Sequence, residues 1–175
     1  MTAILIRRQS KNVEAIFSNG LYEETYVSGI LRNKTSVCKI VGDPIWERFR
    51  NSNDSKVQIE EFQNLNLPIN FKIQRMLLKK AVSQFTKITT PGIHLKNITE
   101  SWSGRSDVIY VANGAKCINP TPVKKEWDLI TVSRLVSWKN LDFVIESLND
   151  SNLRIAIIGS GPELLRLKEL AKTSQ

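Results

Sequence analysis

Short apolar runs alternate with helical stretches along nearly the whole chain, and this alternation constrains the fold more than any other feature. The runs are VEAIF (13–17), SVCKIV (36–41), FTKITT (85–90), DVIYV (107–111), WDLITV (127–132) and LRIAII (153–158). Several are near-continuous rather than strictly alternating, the pattern of parallel strands covered on both faces. Between them the spacing predicts amphipathic helices. Leu141, Val144, Ile145 and Leu148 form one apolar face behind Asn140, a residue suited to an N-cap. In GPELLRLKELAK (161–172), Pro162 suits the first helical position and Glu163 the first turn. NFKIQRMLLKKAVSQ (70–84) predicts a helix with Ile73, Met76, Leu77 and Ala81 inward and its cations outward. Strands and helices in this order imply βαβ units and an open parallel sheet, an α/β fold.

An apolar fraction of 41% over 175 residues supports a buried core, in one large domain or two small ones. RNSNDSK (50–56) is polar and reads as a surface loop, whereas NGAKCINPTPVKKE (113–126), with Asn-Gly and two prolines, reads as a linker. The expected division is therefore 1–112, a linker at 113–126, and 127–175. No apolar run is long enough to span a bilayer, and the opening MTAILIRRQS places its arginines after a short apolar patch, the reverse of a secretory signal. That order suggests a cytoplasmic protein. A single histidine, His94, and two cysteines, Cys38 and Cys117, argue against structural zinc and against a Ser-His-Asp triad. His94 reads as a surface side chain, and the cysteines as reduced thiols.

A net charge of +8 points to a polyanionic partner: nucleic acid, an anionic membrane, or phosphorylated small molecules. The cations are densest at 71–87, yet the most suggestive pair is Arg134 and Lys139, between a strand and the next helix. A guanidinium and an ammonium there suit a diphosphate, and an ordinary solvated pair fits the spacing as well. IIGSGPELL (157–165) has the strand-to-helix context of a phosphate loop, but Leu164 stands where a third glycine would complete a dinucleotide fingerprint. A tight turn relieved by Gly159 and Gly161 is the other reading. In IVGDPIWERF (40–49), Asp43 can cap a helix opened by Pro44, Glu47 comes one residue late for a capping box, and Trp46 reads as packing.

Taken in order, these motifs resemble family 4 of the retaining, nucleotide-sugar-dependent glycosyltransferases, over residues 13 to 172. VIYVANGAKCINP (108–120) is similar to that family's crossing between domains, with Ala112 in place of a proline. LITVSRLVSWKNLDFVIESL (129–148) is similar to its strand, Gly-Arg-Leu-Val, Lys-Gly and helix, with Ser133 and Asn140 replacing the two glycines. LRIAIIGSGPELLRLKELA (153–171) resembles the following strand, Gly-x-Gly-Pro-Glu turn and helix, and KIVGDPIWERFR with IEEFQ (59–63) resembles bacterial members concerned with surface polysaccharides.

The resemblance implies a GT-B fold of two Rossmann-like domains, each only partly present: the end of an acceptor-side domain and the start of a nucleotide-sugar domain. It implies that Arg134 and Lys139 bind the donor diphosphate, that Gly159, Gly161 and Glu163 belong to the nucleotide-sugar loop, and that Asn19 and Asp43 face the acceptor-side cleft. Asn19 stands where many relatives have a histidine, and the family's paired glutamates would lie beyond Gln175. The expected activity is metal-independent hexosyl transfer, with no cofactor, from a nucleotide diphosphate-sugar to a polysaccharide or lipid-linked acceptor. An internal piece of a longer transferase is the simplest reading, working at the inner face of the membrane through a peripheral contact. The alternative is a non-catalytic basic α/β module for nucleic acid or anionic membrane; without aromatics among the cations, nucleic acid is not expected.

Overall fold

The computed structural model describes residues 1–53, 56–116, 124–149 and 151–173, and the strands among them pair only in parallel. The chain divides into two compact units, Met1–Lys116 and Cys117–Gln175, the division falling within residues 113–126. In the first unit, α1 (Thr2–Gln9), β1 (Ala15–Ser18), α2 (Tyr22–Val27), β2 (Thr35–Lys39), α3 (Pro44–Asn53), α4 (Ile59–Phe62), α5 (Ile69–Ser83), β3 (Lys87–Thr90), α6 (Ile93–Ser103) and β4 (Ile109–Tyr110) follow one another. The strands lie in sequence order β1-β2-β3-β4, so every link is a crossover carrying a helix. In register, Phe17 lies beside Val37, Val37 beside Lys87, and Thr89 beside Ile109. The second unit runs β5 (Leu129–Val132), α7 (Leu141–Glu146), β6 (Ile155–Ile158) and α8 (Leu164–Thr173), with Leu129 beside Ile155.

Each unit has its own core. The first is built from Cys38, Ile40, Ile45, Phe62, Leu78, Phe85 and Ile88, the second from Leu135, Leu141, Ile145 and Leu167. Burial alternates along β2 and β3: Ser36, Cys38, Ile88 and Thr90 are buried, whereas Lys39 and Lys87 lie on the other face. These strands are therefore fully covered on one face only, unlike the two-sided cover expected from the apolar runs. The lysines keep their ammonium groups near water, that of Lys39 donating to Asn113 Oδ1 at 2.6 Å.

Three local expectations change. On α5 the helix holds but most of the inward face does not: of the four residues expected inward only Ala81 is buried, with Phe71, Leu78 and Val82, while Ile73, Met76 and Leu77 are exposed. Arg75, read as outward, turns inward to a buried carboxylate. Arg50 to Asn53 continue α3 instead of opening a loop, and the guanidinium of Arg50 lies over the Trp46 ring at 5.4 Å; residues 54–55 of that stretch lie outside the described residues, as do 117–123 of the linker with Cys117. Trp46 packs against the core and its indole donates to Val57 O at 3.0 Å. Finally, α8 begins at Leu164, with Pro162 and Glu163 in the turn before it. No helix among the described residues is long and apolar enough to cross a membrane.

Burial also sets an alkaline limit on the first unit. It pushes the Cys38 thiol from its ordinary 9.0 up to about 12, and the Tyr22 phenol from 10.0 up to about 12. The unfolded chain releases these protons first, so between the ordinary and raised values it binds fewer protons than the folded chain. Stability is then full below about pH 9 and falls toward pH 12. Urea titrations at stepped pH should show this decline, and Cys38→Ala should make it shallower; an equal slope in both chains would remove Cys38 as its source.

Candidate functional site

The loops that follow β5 and β6 are joined along the carboxyl edge of the second sheet. Ser133 N donates to Ile158 O at 3.1 Å, Leu135 N to Ser160 O at 2.8 Å, and Glu163 N to Leu135 O at 3.1 Å. The parallel ladder thus continues past the strands into both loops. Glycines make this approach feasible: a Cβ on Gly159 would sit 1.9 Å from Ser133 O, and one on Gly161 would sit 2.2 Å from Leu135 O. Both glycines face protein backbone, which is the turn reading of their spacing. They fix the loop that carries Arg134.

Arg134 and Lys139 are both exposed on that edge. The guanidinium of Arg134 lies 5.9 Å from the centre of the Trp138 ring, a platform that orients it. Lys139 closes a short 3-10 turn over Ser137–Lys139. The next residue, Asn140, has φ 49° and ψ 39° and makes no side-chain cap. The N-cap expected there is replaced by a left-handed backbone that asparagine, like glycine, tolerates.

Glu163 is not an isolated acid. Its carboxylate accepts from Arg166 Nε at 2.6 Å, and Arg166 Nη2 donates to Asp142 at 3.0 Å. The hydrogen bond from Arg166 holds the Asp142 carboxyl below its ordinary range, and Glu163 and Asp142 together raise Arg166. This bridge ties the first turn of α7 to α8. Sequence spacing alone did not show it, since Asp142 and Arg166 are 24 residues apart.

In the first unit, the carboxyl ends of β1 and β2 border an open cavity of about 180 Å³ lined by residues including Asn19, Gly20, Tyr22, Val41 and Glu47. Beside it, Gly20 and Leu21 both have positive φ, 94° and 52°, which is ordinary for glycine and uncommon for leucine, and Leu21 does not line the hollow. The Tyr22 hydroxyl donates to Lys39 O at 2.6 Å and fixes one wall.

Asp43 does not share that cavity with Asn19. Its carboxylate is fully buried; Oδ1 accepts from Ile45 N and Trp46 N at 3.0 and 3.1 Å, capping α3. Oδ2 accepts from Arg75 Nη2 at 2.7 Å and Gln63 Nε2 at 3.0 Å. The residue is occupied in holding the fold. His94 lies at the surface, 2.7 Å from Glu60 Oε1. Among the described residues no group of three or more His, Cys, Asp or Glu side chains is placed to share a metal ion.

No protein-family model matches the chain. No curated protein matches it significantly.

Proposed function

We propose that the chain is part of a retaining glycosyltransferase of GT-B type, in which the second unit holds the diphosphate of a nucleotide-sugar donor and the first faces a polysaccharide or lipid-linked acceptor. The observation that carries this reading is the joined pair of loops at the carboxyl edge of β5 and β6, with Arg134 and Lys139 exposed on one of them. Ligands of parallel sheets collect at that edge. As a glycosidic bond to a diphosphate breaks, negative charge grows on the leaving group, so cations fixed beforehand stabilise the transition state more than the ground state. Arg134 suits the two-pronged contact and Lys139 the point charge. In this scheme the side-chain cations do the work that a metal does in other transferases.

The test is thermal unfolding of the whole chain with a panel of nucleoside diphosphates and nucleotide sugars. At least one should raise the midpoint, by an amount equivalent to about 2.7 kcal/mol at a hundred times its Kd. Arg134→Ala should weaken that ligand roughly tenfold to a hundredfold, the range for a lost charged hydrogen bond. A folded chain that no member of the panel stabilises overturns the reading.

A further inference from the structure

The outward face of α5 is unlike a solvated helix. Ile69, Ile73, Met76 and Leu77, exposed at 73, 48, 61 and 48%, form one stripe at helical spacing. Lys72, Lys79 and Lys80 are also exposed, and the helix INFKIQRMLLKKAVS contains no acidic residue. Lys80 lines a hollow of about 370 Å³, which adjoins a second of about 430 Å³ through Val27, Gly29 and Arg32. Arg7, Lys11 and Lys34 line the second hollow, and no carboxylate lines either.

We propose that the outward face of α5, together with the Arg32–Lys80 hollow, docks the first unit on an anionic phospholipid surface. The stripe would enter the boundary between headgroups and acyl chains, and the lysines with Arg32 would meet lipid phosphates. Charge selects this occupant. A second copy docking through the same face would bring Lys72, Lys79 and Lys80 against their equals, which like-charge repulsion opposes. A single-stranded nucleic acid would need exposed aromatic platforms, but the exposed apolar residues here are aliphatic and Phe71 is buried. The inference stands apart from the sugar-transfer reading, since none of these residues belongs to the second unit.

The test is flotation of the whole chain with vesicles of phosphatidylcholine alone and of phosphatidylcholine mixed with phosphatidylglycerol, at low and high salt. The chain should float with the mixed vesicles at low salt and not with the neutral ones. Met76→Glu should reduce partition at least about tenfold, and Lys79→Ala with Lys80→Ala by a similar factor, roughly fivefold for each basic residue near the surface. These exposed changes should leave the unfolding midpoint unmoved. Should Met76→Glu fail to fold, the lysine pair carries the test, because it leaves the apolar stripe intact. No binding to mixed vesicles, equal binding to neutral ones, or partition indifferent to both sets of changes overturns the proposal. So does RNA that displaces the vesicles and binds Met76→Glu as tightly as the parent chain, which would make the face a general polyanion site.

Discussion

Replacing Asp43 with alanine is expected to lower the unfolding free energy of the first unit by about 3–5 kcal/mol, the usual range for breaking one side of a buried ion pair. The carboxylate has no exposed surface and the Arg75 side chain keeps only 16% of its own. Arg75 lies 5.2 Å from the Phe62 ring centre and 5.3 Å from that of Trp102, so without Asp43 its charge remains packed among aromatics. Its Nη1 is already buried without a hydrogen-bond partner among the described residues, so losing the carboxylate would leave a second buried N–H group of Arg75 to be satisfied. The lost cap of α3 accounts for about 1 kcal/mol of the effect. Asp43→Asn can keep the cap and lose the charge, and adding Arg75→Met should then recover stability relative to Asp43→Asn alone. Urea titration of the parent, Asp43→Asn, Arg75→Met and the double variant completes the cycle. A loss under about 1 kcal/mol for Asp43→Ala would show that the pair is not what holds α3 to α5.

Gly161→Ala and Gly159→Ala should each destabilise the second unit by about 3 kcal/mol or more, the upper end for overpacking. The obstacle in both is backbone that cannot rotate away: a Cβ at 161 meets O, C and N of Leu135 at 2.2, 2.7 and 2.9 Å, and one at 159 meets O and C of Ser133 at 1.9 and 3.1 Å. Relief requires the two loops to separate, breaking the bonds from Leu135 N to Ser160 O and from Glu163 N to Leu135 O. The first unit's transition should be unmoved in the same titration. Nucleotide-sugar stabilisation, where Arg134 confers it, should vanish with the loop geometry even at temperatures where the variant stays folded. A variant as stable as the parent would mean that the loops are not held this closely in solution.

The two sets of residues differ in how readable they were. Asp43 and Pro44 announce a helix start by chemistry that is local in sequence, and the structure places them so. The family resemblance, not this local chemistry, gave Asp43 to an acceptor-side cleft, and nothing nearby in sequence shows that Arg75 and Gln63, 32 and 20 residues away, take its other oxygen. The inward turn of Arg75 also bears on the face assigned to α5, which was right at Ala81 and wrong at Ile73, Met76 and Leu77. Hydropathy ranks arginine as outward and Ile73, Met76 and Leu77 as core, but a buried carboxylate reverses that ranking locally.

The sequence by itself determined the alternation of strands and helices, their parallel pairing, and the strand-to-helix positions of Arg134, Lys139, Gly159 and Gly161. Those features depend on periodicity and turn chemistry spanning a few residues. Only the tertiary structure decided that the glycines face the neighbouring loop, that Arg166 is joined to Asp142, and that α5 shows its apolar stripe to solvent. Each of these outcomes is set by a partner distant in sequence, and no local pattern records which residue that partner will be.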